Sequence, residues 1–155
     1  EFSSMRSNIP LMSKYCYYRY DPEFSERARE MGSSIIIGGE NYGQGSSREH
    51  AAINPMYLGV RAVIAKSIAR IHKGNLLNHG IIPMVFDDPA DYDKLEMGDE
   101  LEMGDLLNQM QTKVVEVRDN TRGITFKARL ELSENELEVI SCGGQLRYLK
   151  KQLGK

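Results

Sequence analysis

Reactive side chains are densest between Gly38 and His50, in the stretch GGENYGQGSSREH. Ser46 and Ser47 are hydroxyl donors and acceptors, Arg48 is a fixed cation, and His50 can exchange a proton near neutrality. Three kinds of chemistry are open to such a set. Ser46-Ser47-Arg48-Glu49 reads as an S-x-x-E capping box, which does no more than start a helix. The same helix start presents unpaired N–H groups and a partial positive charge, and glycines let an anion come close to them. A serine nucleophile with His50 as its base is the third option, but the G-x-S-x-G elbow that exposes such a serine is missing.

Arg48 weighs on this choice. A cation in the first helical turn opposes the helix dipole, so its position makes sense beside a bound anion. Its planar fork matches a carboxylate bidentately. No Gly-Lys-Ser/Thr follows the loop, and G-x-G-x-x-G is absent, so neither a Walker phosphate loop nor a dinucleotide fingerprint is present. A carboxylate is the anion this pattern suits best.

The elements that must hold this loop can be read on either side of it. Ser34–Ile37 is a short apolar run bounded by glycine, a buried strand. Ser47–Leu58 reads as a helix bent at Pro55, Val60–Ala65 as a second strand, Ser67–Asn78 as a helix with Ser67 as N-cap and Gly80 past its end, and Ile81–Phe86 as a third strand. Strand, helix, strand, helix, strand predicts parallel βαβ units. Lys113–Arg118 and Ile124–Leu132 read as a hairpin turned by Asp119–Gly123, and Ser133 with Glu136 as a capping box before a C-terminal helix. That helix breaks at Gly143-Gly144 and resumes from Gln145 to Leu153. Ahead of the sheet, Ser13–Tyr18 and Phe24–Met31 read as short helices. The doubled LEMGD (95–99 and 101–105) has two copies only and reads as turn chemistry around a short strand.

A chain of 155 residues with 41% hydrophobic and 27% charged residues fits one soluble domain, residues 1–155. The net charge of −2 argues against a nucleic-acid footprint, and no apolar run reaches the ~18 residues of a membrane span. Cys16 and Cys142 are far apart, which speaks against a disulfide scaffold and for a reducing, cytoplasmic location. Two cysteines also cannot supply the thiolates that usually hold an iron–sulfur cluster, and neither has ligand spacing, so no metal ligand is expected here. The chain opens Glu1-Phe2-Ser3-Ser4 without an initiator methionine; residues 1–4 have the look of a cloning remnant on a piece of a longer protein.

GENYGQGSSREHAA, followed by YLGVRAVIAKSIARIHKGNLLNHGIIPMVF, resembles the C-terminal swivelling domain of the aconitase family of hydro-lyases, and the resemblance runs from about Arg6 to the end. It implies an α/β fold, a three-layer β/β/α swivelling domain. It implies a hydro-lyase that isomerises citrate and isocitrate via cis-aconitate, with a [4Fe-4S] cluster held outside this chain. The partners it implies are cluster-binding domains 1–3 of the same enzyme or a large subunit, and a tricarboxylic or dicarboxylic hydroxy acid. Ser46 would be the catalytic base, with Ser47, Arg48 and Arg6 binding substrate and Gly45, His50 and Arg70 supporting them.

The cluster cysteines and the Asp-bearing stretch that precedes Arg6 in the family are absent from this sequence. That departure, with ENYGQGSSREHAA in place of the wording usual in small subunits, favours an excised piece of a single-chain aconitase. The alternatives are a small subunit of isopropylmalate dehydratase or homoaconitase, and an RNA-binding module of an aconitase-like regulator. His72 and His79 read as packing and helix-end residues, Asn75 with Arg70 as support for the loop, and Tyr15, Tyr17, Tyr18 and Tyr20 as core or interface. Arg147–Lys151 reads as a solvated helix end.

Overall fold

The structure, a computed structural model, describes residues 33–43, 50–104 and 106–142, together with Glu23, Glu26, Arg27, Glu30, Gly144 and Leu153. The helices expected at Ser13–Tyr18 and Gln145–Leu153 lie outside these residues, as does most of the one at Phe24–Met31. In chain order the elements are β1 (Ser34–Gly38), α1 (His50–Tyr57), β2 (Val60–Ala65), α2 (Arg70–Asn78), β3 (Ile82–Phe86), a 3-10 helix (Pro89–Lys94), β4 (Leu101–Glu102), α3 (Leu106–Gln111), β5 (Val114–Asp119), β6 (Ile124–Arg129) and α4 (Glu134–Ser141).

The strands form one six-stranded sheet in the order β1-β2-β3-β6-β5-β4. β1, β2 and β3 are parallel, so the expected βαβ units are both present. β3 meets β6 antiparallel, and β5 and β6 form the expected hairpin. The α/β fold read from the sequence is therefore the one observed. β2 and β3 are buried on nearly every residue, whereas β5 and β6 alternate buried and exposed. This is the difference between strands covered on both faces and strands covered on one. Pro83 sits in β3 without breaking it: β6 pairs only with Val85 and Phe86, so the first half of β3 is an edge on that side.

From Ala62 onward alternation along β2 feeds two cores, and the register shift at the start of the strand puts Val60 with Val63 and Ala65. Val60, Val63 and Ala65 pack with Ala52 of α1, Leu76 of α2 and Ile81. Ala62 and Ile64 join Met84 and Phe86 of β3, Val115 and Val117 of β5, Phe126 and Ala128 of β6, and Leu137 and Ile140 of α4.

The helix ends follow their caps. At the end of α2, Gly80 has φ +76°, the Gly80 N–H donates to the Leu77 carbonyl at 3.2 Å and the Ile81 N–H to the Leu76 carbonyl at 2.9 Å. Those two bonds define a Schellman stop, and Ile81 and Leu76 share a core as that motif requires. At the start of α4 the capping box forms: Ser133 N–H donates to Glu136 Oε1 at 3.0 Å and Glu136 N–H to Ser133 Oγ at 3.2 Å. Among the described residues no helix is long and apolar enough to cross a membrane.

Candidate functional site

The loop after β1 and the loop after β2 leave the sheet side by side at the carboxyl ends of two parallel strands, and they are stitched together. Tyr42 N–H donates to the Ser67 carbonyl and Ala69 N–H to the Tyr42 carbonyl, both at 2.9 Å, as a parallel bridge between Tyr42 and Ile68. Asn41 N–H donates to Ser67 Oγ at 2.7 Å. Lys66 N–H donates to the Gly39 carbonyl at 3.1 Å. The turn through Asn41 (φ 51°) and Gly43 (φ +85°) is left-handed at both residues.

Contrary to expectation, Ser67 is not the N-cap of α2: that helix begins at Arg70, its N-cap is Ala69, and no side chain caps it. The Ser67 hydroxyl is taken instead by Asn41, so its local capping signature was outcompeted by a partner 26 residues away.

Beneath the turn lies His72 of α2, 2% exposed. A Cβ on Gly43 would come within 2.3 Å of the His72 ring, so only glycine lets the loop descend onto it. The Tyr42 ring stands edge-on to His72, with centroids 5.3 Å apart. Burial pushes the His72 pKa below its ordinary value, which keeps the imidazole uncharged near neutral pH. His72 Nδ1 and Asn75 Nδ2 are both buried and without a hydrogen-bond partner among the described residues. Arg70 opens α2 and is exposed, and no acid stands in the first turn of that helix. A cation at that end opposes the dipole and suits an anion nearby. Lys66 reaches over the Tyr92 ring, 4.8 Å from its centroid.

Of the residues singled out from the sequence, His50 opens α1 and Arg70 opens α2. His79 caps the end of α2, as expected of it. Arg6, Gly45, Ser46, Ser47 and Arg48 lie outside the described residues, and Gly43 is the last described position before them. Cys142 follows α4 with a free thiol, while Cys16 is outside the described residues. The close seating of the loop on His72 was not foreseen; the glycine at position 43 is the one sequence signal that pointed to it. A cavity of 340 Å³ lined by Glu102, Gly104, Gln109, Glu116 and Arg118 opens at the other edge of the sheet and contains none of these residues.

The family described as the aconitase C-terminal domain matches residues 17–89. A 3-isopropylmalate dehydratase structure from Methanocaldococcus jannaschii superposes with a TM-score of 0.78 at 32% identity, covering 94% of this chain and 79% of that one. The chain belongs to the aconitase C-terminal domain family. A probable mitochondrial aconitate hydratase of Dictyostelium discoideum is 40% identical over 125 residues, which is 78% of this chain and 16% of that protein. A mitochondrial homocitrate dehydratase of Saccharomyces cerevisiae is 34% identical over 122 residues, 74% of this chain and 16% of that protein. This aconitase C-terminal domain thus spans about a sixth of those curated relatives.

The relatives also overturn the cytoplasmic expectation, since those from Dictyostelium, Gracilaria, Caenorhabditis and two yeasts are all named mitochondrial. Cysteine content speaks only to redox state and does not separate one reducing compartment from another.

Proposed function

We propose that this domain carries the catalytic base and a carboxylate clamp of a hydro-lyase that isomerises citrate and isocitrate through cis-aconitate. The observation that supports it most is the seat of the glycine loop. The loop is pinned by Tyr42 and Gly43 at the carboxyl ends of two parallel strands, three residues before Ser46. Ligands of open α/β sheets bind at that end of the strands.

In this reading Ser46 Oγ takes the proton from the carbon next to a substrate carboxylate. The C–H bond breaks, its electron pair moves toward that carboxylate, and the proton rests on Ser46 until it is returned in the opposite direction. Backbone N–H groups of a glycine loop stabilise the serine in its deprotonated form, and Arg48 and Arg6 hold carboxylates as the negative charge builds. Ser47 binds substrate, and Gly45, His50 and Arg70 support the loop. Departure of the hydroxyl is assigned to no residue of this chain. The resemblance implies a [4Fe-4S] cluster on other domains or on a large subunit. Here, among the described residues, no three His, Cys, Asp or Glu side chains converge and Cys142 stands by itself.

A second reading, the small subunit of a 3-isopropylmalate dehydratase, draws support from the superposition on the Methanocaldococcus structure. Kinetics of the complete enzyme test both. Ser46→Ala should lower kcat by ~10²–10⁴-fold, the scale of general-base effects, with KM nearly unchanged. Arg48→Lys keeps the charge but loses the fork, so KM should rise. Normal kcat in a stable Ser46→Ala enzyme ends the base assignment, and normal KM in Arg48→Lys ends the clamp. Assaying citrate, homocitrate and 3-isopropylmalate side by side decides the substrate.

A further inference from the structure

A buried polar atom without a partner is uncommon and calls for an explanation. This domain has two such atoms one helical turn apart on α2, His72 Nδ1 and Asn75 Nδ2. Residues three apart share a helix face. Above His72 sits the turn at Tyr42–Gly43, which a single methyl group on Gly43 would lift off the ring. A residue needed only to fill this space would do so better without a nitrogen: an apolar ring would make the same contacts and leave no buried group unsatisfied. The polar atoms are therefore poorly explained by packing.

We propose that His72 and Asn75 are positioning residues, whose buried nitrogens hydrogen-bond to the glycine loop when a carboxylic acid fills the site. The inference rests on the proposed function for its consequence, since the loop matters to turnover only if it carries the base. Neither residue touches the reacting carbon; each acts by holding the turn at Tyr42–Gly43. Hydrogen bonds that form only in the loaded site leave their atoms unsatisfied in the empty one. The folded chain thereby gives up stability in exchange for a positioned loop, a trade usual at functional sites.

The test uses near-isosteric apolar variants of the complete enzyme, His72→Phe and Asn75→Leu, with His72→Asn as rescue, since its amide reaches the place of Nδ1. A merely structural role predicts that the thermal midpoint and the activity fall together. The positioning role predicts that both apolar variants hold or raise the thermal midpoint while kcat falls at least tenfold, and that His72→Asn recovers most of it. It also predicts non-additivity. In a Ser46→Ala background, His72→Phe should cause less than a twofold further loss, because a loop without its base gains nothing from being positioned. Full kcat in a stably folded His72→Phe enzyme overturns the proposal, as does a full tenfold loss added on top of Ser46→Ala. Normal kcat in Ser46→Ala alone overturns the base assignment instead. His72 and Asn75 are then judged by amide hydrogen exchange at residues 39–43 in the presence of citrate: faster exchange in the apolar variants sustains the positioning role, and unchanged exchange ends it.

Discussion

His72 shows how one residue links fold, stability and chemistry. The sequence reading gave it a packing role on a helix, and it is buried; what periodicity does not see is the loop 29 positions earlier that lies over it. Ser67 shows the same blindness in the other direction, since a serine ahead of a helix carries the N-cap signature whether or not a distant N–H claims its hydroxyl. The lowered pKa of His72 has a consequence that can be signed. Above pH 6.5, the ordinary value, the imidazole is uncharged in both folded and unfolded chains and contributes no pH dependence. Below it the unfolded chain binds a proton that the folded chain refuses, so stability falls as pH drops toward the folded pKa. Urea unfolding between pH 7.5 and 5 should show this loss, and His72→Phe should remove that part of it. If the two chains lose stability in parallel over that range, the ring is not held uncharged by the fold.

At the scale of elements, what the sequence revealed depended on length and on local chemistry. β2 was read to the residue, because six apolar-rich positions between glycine and a polar loop admit little else. The hairpin and the capping box were equally legible, being made by neighbours in sequence. The 3-10 helix and α3 were not predicted, being too short for a period to register, while the short strand expected at the LEMGD pair is β4, which pairs with β5. The LEMGD pair did prove to be turn chemistry around that strand, with Asp99 Oδ2 accepting from the Glu96 N–H at 3.0 Å and from Arg122 Nε at 2.8 Å. Asp119, buried at the hairpin, gave no sign of its burial in the sequence. Its Oδ1 accepts the Thr121 and Arg122 N–H groups, while burial, with Asp99 alongside, pushes its pKa up. Two local stops can be ranked by experiment. Gly80→Ala forces a Cβ into the left-handed region and should cost about 1–2 kcal/mol, and Ser133→Ala removes a cap worth ~0.5–2 kcal/mol. Urea midpoints measure both. A Gly80→Ala chain as stable as the parent would mean that the Schellman stop is not what ends α2.

Across the whole molecule, the proposed division of labour rests on how small a share of its relatives' length this chain spans. Two cores built on opposite faces of β2, joined through a sheet of six strands, give the chain the makings of independent folding. Curated relatives are about six times longer than the stretch they share with this chain. If the loop supplies the base and one clamp while the hydroxyl is drawn off by groups on other domains, the chain by itself holds half of a reaction. It should therefore unfold cooperatively with heat, yet convert none of citrate, homocitrate or 3-isopropylmalate, even after anaerobic treatment with iron and sulfide. Removing the base in the chain alone would then change nothing measurable, while the same Ser46→Ala change in the complete enzyme would cost two or more powers of ten in kcat, about 2.7 kcal/mol or more of barrier. Circular dichroism during a thermal ramp and a coupled assay on the same preparation check both halves. Turnover by the isolated chain would refute the division, because the residues for both proton removal and hydroxyl departure would then have to lie within these 155 positions.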